Sequence, residues 1–434
     1  MLVLRDLIYS LKPFLKRKEF ISITGPRQCG KTTLLGLIKD CLVKEFKVNP
    51  KLIQIITFED RRLLMQFEKD PLSFIRSYLP QDLTSKFYLM IDEFQYAQEG
   101  GQKLKLIYDT ISNIKIIITG SSSLEIKAKV GKFMVGRILN FYLYPFNFKE
   151  YLRAINPRLE RVYTQNNEKI LAWISARKKF KIRSGRDLFG EELNQLYEDF
   201  CIWGGYPAVV LAKTEIERKK LLGDIYNSYI LKDIKTLLEL TTEKNLFLLS
   251  QYLATQIGNI IVYQNLSQVS GLDYRKLKSH LNILEETFIC KEIRPFFKNR
   301  QKELSKNPKI FFLDLGFRNS LLENTNRLDK RSDSGAIIEN VCFVRLNELF
   351  GGINKINFWR TKVGAEVDFI LFLKDNLIPI EVKYSSFNTE KIDRSFLSFI
   401  TTFQPKHGLI LTKDYWGFIK RKNTSILFAP VYYF

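Results

Sequence analysis

At 434 residues the chain exceeds what one compact core supports, and its length points to about three domains. Lysine and arginine total 68 against 46 acidic residues, a formal charge of +22 that favours a polyanionic partner, nucleic acid before an anionic membrane surface, with a lysine-rich compositional bias as the alternative. A 45% hydrophobic content argues against disorder, no uncharged apolar run is long enough to span a membrane, and five unpaired-looking cysteines beside only His280 and His407 argue against a disulfide framework or a Cys/His zinc site.

Residues 1–18 read as an amphipathic lead-in helix broken near Pro13, and Arg5, Asp6 and Lys12 interrupt it in a way that does not suit a signal peptide, so a cytoplasmic setting with reduced thiols is expected. The next stretch, FISITGPRQCGKTT from Phe20 to Thr33, organises the N-terminal half. A β-rich run enters a glycine-framed loop, and Lys31, Thr32 and Thr33 open a helix, which is the spacing of a P-loop. Gly25 permits the turn, and Pro26, Arg27, Gln28, Cys29 and Gly30 form the loop whose N–H groups approach phosphate. The helix N-terminus faces the anion, Lys31 reaches the β- and γ-phosphates of ATP, and the Thr32 hydroxyl ligates Mg²⁺. The alternative is an ordinary strand–turn–helix. Cys29, beside Gly30 and Lys31, has a setting that favours a thiolate which bound nucleotide would shield, or else it is an inert loop residue.

Leu52–Phe58 reads as a second buried strand, followed by a helix over about 71–79. Phe87–Glu93, FYLMIDE, is a hydrophobic strand ending in two acids. Asp92 can hold Mg²⁺ through water and Glu93 can orient or deprotonate the attacking water, although acids after strands also serve as helix caps. A helix over about 102–112 and a strand over 115–119 lead into Gly120-Ser121-Ser122-Ser123, where Thr119 or Ser121 can contact the γ-phosphate or the water. Strands alternating with helices predict a doubly wound parallel sheet with ligands beyond its carboxyl strand ends. Arg137 is either a phosphate-sensing arginine, acting in cis or in trans, or an ordinary structural one.

Residues 153–200 look like a basic insertion or lid, and 197–240 is helical in pattern with a break at Gly204-Gly205. Together, GPRQCGKTT, FYLMIDEFQ, IITGSSS, GR followed by LYPFNF, and WGGYP (Trp203 to Pro207) resemble AAA-type P-loop ATPases of prokaryotes, and more narrowly the family that carries a restriction-endonuclease-like C-terminal domain. That resemblance implies an ATP- and Mg²⁺-using P-loop NTPase core.

Farther on, 245–256, 266–269 and 274–286 suit three helices, with Gly271 in a turn and Asp273 as a cap. The strand-like runs 288–297 and 308–313 follow. This is the winged-helix order, with Arg275, Lys276, Lys278 and His280 on the helix that would enter the major groove of DNA; the alternative is a packing module.

The last hundred residues carry a second constellation. In the helix over 335–350, Glu339 falls within an apolar stripe of Cys342, Phe343, Leu346, Leu349 and Phe350, a costly position for a carboxylate unless it is paired or binds metal. Ile356–Arg360 is strand-like. Alternation puts Glu366 and Asp368 on one face of the strand 366–373, and Glu381 and Lys383 on one face of the strand 378–384. A tight return brings Asp368, Glu381 and Lys383 together, with Glu339 supplied by the helix. A later helix over about 389–403 and the strand 407–412 complete an α-β-β-β-α-β order. The D…E-x-K pattern and this order resemble the PD-(D/E)XK nuclease superfamily, which implies Mg²⁺ or Mn²⁺ on Glu339, Asp368 and Glu381, with Lys383 positioning water. The alternative is a set of surface salt bridges.

The expected organisation is thus an ATPase core over 1–150, a helical lid or linker over 151–240, a winged-helix-like domain over 241–320 and a restriction-endonuclease-like domain over 330–434. Two functions compete: an ATPase coupled to metal-dependent cleavage of nucleic acid, and an ATP-switched DNA- or protein-binding regulator whose nuclease-like domain is inactive. A signalling ATPase without nucleic acid is a third. Self-association fits any of them.

Overall fold

A computed structural model describes residues 2–81, 85–121, 130–175, 184–227, 244–297, 299–351, 355–374 and 376–434. They form two units, residues 1–145 with 282–289 and residues 146–281 with 290–434.

The first unit is built on five strands: β1 (Phe20–Thr24), β2 (Ile53–Thr57), β3 (Phe87–Asp92), β4 (Ile114–Gly120) and β5 (Ile138–Tyr142). They are all parallel and lie in the order β2-β3-β4-β1-β5. Parallel neighbours need crossovers, so helices cover the faces and both faces are apolar. Phe87, Leu89 and Ile91 of β3 point to one face, where Phe67 of α3 (Arg61–Lys69), Phe74 of α4 (Pro71–Arg76) and Leu104 of α5 (Gly100–Thr110) cover them. Tyr88 and Met90 point to the other, under Ile8 of α1 (Leu7–Leu11) and Leu34, Ile38 and Leu42 of α2 (Lys31–Lys44). The doubly wound sheet expected from the alternation is present.

Two elements were not expected. Helix α3 is short, carries four charged residues in nine and fully buries only Phe67; Asp60 starts it by accepting the Arg62 N–H at 2.9 Å. Strand β5 is a half-exposed edge with a polar Asn140 at its centre, and its pairing with β1 defines it. Ser122 and Ser123 of the TGSSS run lie outside the described residues, as does 228–240 of the helical stretch.

In the second unit, α6 (Phe148–Ile155), α7 (Pro157–Ile174), α8 (Gly190–Trp203), α9 (Pro207–Val210) and α10 (Glu215–Tyr226) come first. The described part of the expected lid over 153–200 is therefore mostly helical, in the end of α6, in α7 and in α8. The Trp173 indole N–H of α7 donates to the Gly408 carbonyl at 3.1 Å, and its ring lies 5.0 Å from that of His407, which ties α7 to the C-terminal sheet. The most basic part, 176–183, lies outside the described residues.

Helices α11 (Lys244–Thr255), α12 (Tyr263–Ser270) and α13 (Tyr274–Glu286) follow in the expected order, then β6 (Cys290–Ile293), α14 (Arg300–Ser305) and β7 (Lys309–Phe312), with β6 and β7 antiparallel. Asp273 caps α13, accepting the Lys276 N–H at 2.9 Å. Within the expected segment 241–320, residues 282–289 belong to the first unit. After α15 (Leu315–Leu321), α16 (Ser334–Phe350) precedes β8 (Lys355–Arg360), β9 (Glu366–Leu373), β10 (Asn376–Lys383), α17 (Arg394–Phe403), β11 (His407–Thr412), β12 (Gly417–Arg421) and β13 (Thr424–Pro430). The sheet order is β12-β13-β11-β10-β9-β8, with β10–β11 and β11–β13 parallel. Phe396 and Phe399 of α17 cover one face with Val367, Ile410 and Phe428; on the other, Phe343 of α16 stacks on Phe311 of β7 at 4.6 Å, and Phe311 meets Phe369 at 5.6 Å.

Candidate functional sites

Four strands of the first unit end together. Thr24 and Gly120 are paired in register at the ends of β1 and β4, and Thr57 is paired with Asp92 at the ends of β2 and β3. The loop from Gly25 to Gly30 leaves the end of β1. A side chain at Gly25 would place its Cβ 2.0 Å from the Leu143 carbonyl oxygen, so only glycine fits, and Gly30 opens α2 at φ 95°. The Lys31 ammonium is buried and donates to the carbonyls of Gly25 at 3.1 Å and Pro26 at 3.0 Å. It folds the loop around itself, and a phosphate entering here replaces two neutral carbonyls with anionic oxygens.

The Asp92 carboxylate is the hub of the site. It accepts the hydroxyls of Thr32 from α2 and Thr119 from β4. The following residue, Glu93, adopts left-handed backbone at φ 54°, ψ 44°, unusual for a glutamate, and its N–H points at Asp92 Oδ1 (3.2 Å) and Thr119 Oγ1 (3.3 Å). Gln95 donates to the Glu93 carboxylate and, at 3.0 Å, to Ser121 Oγ. The P-loop, the paired acids and the Thr119–Ser121 end of β4 are thus one hydrogen-bonded array. Thr119, expected beside the γ-phosphate or the water, donates to Asp92, and Ser121, expected there too, accepts from Gln95. A hydroxyl and a carboxylate converging at Thr32 and Asp92 are hard oxygen donors that fit Mg²⁺.

Other residues fall differently. Arg137 precedes β5, whose first residue Ile138 pairs with Phe20 at the start of β1. It therefore lies at the opposite end of the sheet from the P-loop, about 16 Å away at ~3.3 Å per strand residue. There it pairs with Asp109 at 3.2 Å. Cys29 is fully buried, and burial pushes its thiol up, so the thiolate expectation fails: desolvation outweighs the pull of Lys31 and Arg5. Two residues were missed. Arg5 is buried and donates to the Cys29 carbonyl at 2.7 Å and the Tyr144 carbonyl at 2.6 Å, tying the P-loop to the chain after β5. Nothing in its sequence neighbourhood signals that role, whereas Gln95 was visible inside FYLMIDEFQ.

In the second unit the four C-terminal candidates come together. The register pairs Ile380 with Phe369, and continuing it sets Glu381 opposite Asp368. The Asp368 N–H lies 3.4 Å from Glu381 Oε2, and the Val382 N–H donates to Asp368 Oδ2 at 2.8 Å. Lys383 pairs with Glu381 at 2.6 Å and Asp393 at 3.0 Å, beside a cavity of about 110 Å³ that Phe396 and Ile410 also line. Glu339 reaches the cluster from α16. Burial pushes the Glu339 carboxyl up, and the Asp368 charge adds to the shift. Glu381 rises for the same two reasons, and Asp368 rises by burial against the pull of Lys309.

Lys309 was not foreseen. Buried at the start of β7, it pairs with Glu339 at 2.9 Å and Glu366 at 2.6 Å. Burial lowers its pKa, but Glu339, Asp368 and Glu366 more than offset that and hold it raised. Among the described residues no group of three or more His, Cys, Asp or Glu side chains is placed to hold a metal ion. Two lysines lie among these acids, Lys309 paired with Glu339 and Lys383 paired with Glu381.

His280, expected on the basic face of α13, is buried with Nδ1 2.8 Å from the Lys276 carbonyl, and burial lowers its pKa, so it adds no charge there. Tyr274, Arg275 and Lys276 are exposed. Among the described residues no helix is long and apolar enough to cross a membrane.

Residues 17–152 match the family described as an AAA domain, and the first unit accordingly carries an AAA-type P-loop ATPase domain. Residues 194–328 and 334–430 match two families, each described as a domain of unknown function (DUF8612 and DUF4143). The chain is 24% identical over 380 residues to an uncharacterized protein of Haemophilus influenzae, covering 85% of this chain and 84% of that one. It is 23% identical to an uncharacterized protein of Methanocaldococcus jannaschii, covering 85% and 75%. Among solved structures it is similar to a Walker-type ATPase of Pyrococcus abyssi (14% identity, 74% of this chain, 96% of that one, TM-score 0.45) and to the ORC2 protein of Aeropyrum pernix (12%, 79%, 96%, TM-score 0.39).

Proposed function

We propose that this protein is a Mg²⁺-dependent ATPase that acts on nucleic acid, with nucleotide turnover in the first unit and nucleic-acid contact in the second. The observation that carries the ATPase part is the convergence of Thr32, Thr119 and the Glu93 N–H on Asp92 at the carboxyl ends of the strands. Thr32 and Asp92 would hold the metal, and Lys31 would bind the β- and γ-phosphates. Bound there, Mg²⁺ would neutralise phosphate charge as it develops. Glu93, oriented by Gln95, would accept the proton of the attacking water. Lys31→Ala should lose nucleotide affinity, and Glu93→Gln should bind ATP but not turn it over. Normal hydrolysis by both variants would refute this assignment.

The net charge of +22 and the exposed Arg275 and Lys276 of α13 support contact with a nucleic-acid backbone. DNA affinity should fall steeply as salt rises, and Arg275→Ala with Lys276→Ala should reduce that slope by about 2. A salt-independent affinity would leave a signalling ATPase without nucleic acid. Of the two readings of the C-terminal sheet, the pairing of Lys309 with Glu339 favours a binding element over a metal-dependent nuclease. DNA incubated with Mg²⁺ or Mn²⁺ tests it, and cutting that Glu381→Ala abolishes would reverse the preference.

A further inference from the structure

The second unit gathers Glu339, Glu366, Asp368 and Glu381 around one region, yet each carboxylate has a donor from the protein. Lys309 pairs with Glu339 at 2.9 Å and Glu366 at 2.6 Å. Arg360 takes the other Glu366 oxygen at 3.3 Å. Lys383 pairs with Glu381 at 2.6 Å, and the Val382 N–H donates to Asp368 at 2.8 Å.

Lys309 differs from the others in where it comes from and how it is held. Its side chain is 3% exposed, against 42% for Lys383, so it has no path to swing into solvent as a surface lysine does. It belongs to β7, outside the α-β-β-β-α-β segment that supplies the acids. That strand is locked onto α16: Asn340, the neighbour of Glu339, accepts the Phe312 N–H at 2.9 Å and donates to the Phe312 carbonyl at 2.6 Å. The Phe311–Phe343 stack at 4.6 Å fixes the same contact. A hard divalent ion needs several free carboxylate oxygens and gains from a net negative site. Here an ammonium takes one oxygen each of Glu339 and Glu366 and, within the cluster, repels a second cation.

We infer that Lys309 is a resident cation that takes the metal's place in the C-terminal carboxylate cluster, so that this centre is held by a lysine and closed to Mg²⁺ and Mn²⁺. The inference bears on the nuclease-like resemblance of the cluster, and metal binding is the readout because cleavage can fail for reasons unconnected with Lys309. The full-length protein is used in an Asp92→Ala background, which removes the P-loop metal ligand, and is titrated with Mn²⁺ while free ion is followed by electron paramagnetic resonance. With Lys309 intact no site is expected in the micromolar range. Adding Lys309→Met should create one site at least tenfold tighter than any in the background, and Glu339→Gln on top of it should abolish that site. A Lys309→Met protein that folds, by its circular dichroism, and gains no site overturns the inference. Should that variant fail to fold, the background alone decides: a Mn²⁺ site present with Lys309 intact and lost in Glu339→Gln overturns the inference, and its absence supports it.

Discussion

Arg5→Met isolates how the P-loop is held. The substitution keeps an apolar stem of similar length and removes a guanidinium that donates to the Cys29 carbonyl at 2.7 Å and the Tyr144 carbonyl at 2.6 Å. Hydrogen bonds from a charged donor contribute about 1.5–3 kcal/mol each, so the two together set an upper bound of about 3–6 kcal/mol for a loop that cannot relax. Cys29 lies between Gln28, whose φ is 59°, and Gly30, whose φ is 95°, so the anchored carbonyl sits where the backbone is least able to hold its own conformation. If relaxation recovers half of that energy, nucleotide affinity should fall about 10- to 100-fold, since 1.4 kcal/mol is tenfold. Titration with a fluorescent ATP analogue measures the affinity, and hydrogen exchange over residues 25–33 reports whether the loop has loosened. Wild-type affinity together with unchanged exchange would show that the loop holds itself, and the anchoring role would be wrong.

Other outcomes test the second unit and the thiol. In Gly205→Ala the new methyl would meet the Phe146 carbonyl oxygen at 2.0 Å, a backbone contact that cannot rotate away; a loss of about 2–4 kcal/mol is expected, and an unchanged thermal melt would refute it. Asp314 is buried, accepts the N–H groups of Gly205 and Phe317 at 2.8 Å each, and is pushed up to about 6 by that burial. Between its ordinary value near 3.8 and about 6 the native state holds a proton that the unfolded chain has released. Stability from this group therefore rises as pH falls through that window and is lost as pH rises through it, by about 3 kcal/mol in all. Glu339, Asp368 and Glu381 shift in the same direction, so the measurement is the difference between wild type and Asp314→Asn in denaturant midpoint across pH 4–7; parallel curves would refute the assignment. Buried Cys29 should resist iodoacetamide equally with and without nucleotide, and rapid labelling of the folded protein in either state would contradict its burial.

Much of this protein was legible from residues close together in the chain. Gly25, Gly30, Lys31 and Thr32 sit on one turn, and Asp92 and Glu93 sit at the end of one apolar strand, so spacing alone assigned their places. Period-two alternation likewise put Asp368 and Glu381 on facing positions of a hairpin, because the side-chain period of a strand is geometric and does not depend on what packs around it. What the sequence left open is decided by contacts with no period and no fixed separation. Arg137 could be read as a phosphate sensor or as a structural arginine, and only the pairing of Ile138 with Phe20 puts it at the far end of the sheet. Arg5 reaches the P-loop across 24 residues and the chain after β5 across 139, and a lone arginine ahead of a helix carries no mark of either. Cys29 and His280 look available in sequence, yet burial decides their charge, and burial is a property of everything packed around a group. Lys309 shows the difference most plainly. It heads the apolar run KIFF within the strand-like run 308–313, and only the docking of that strand on α16 makes it the counter-ion of Glu339.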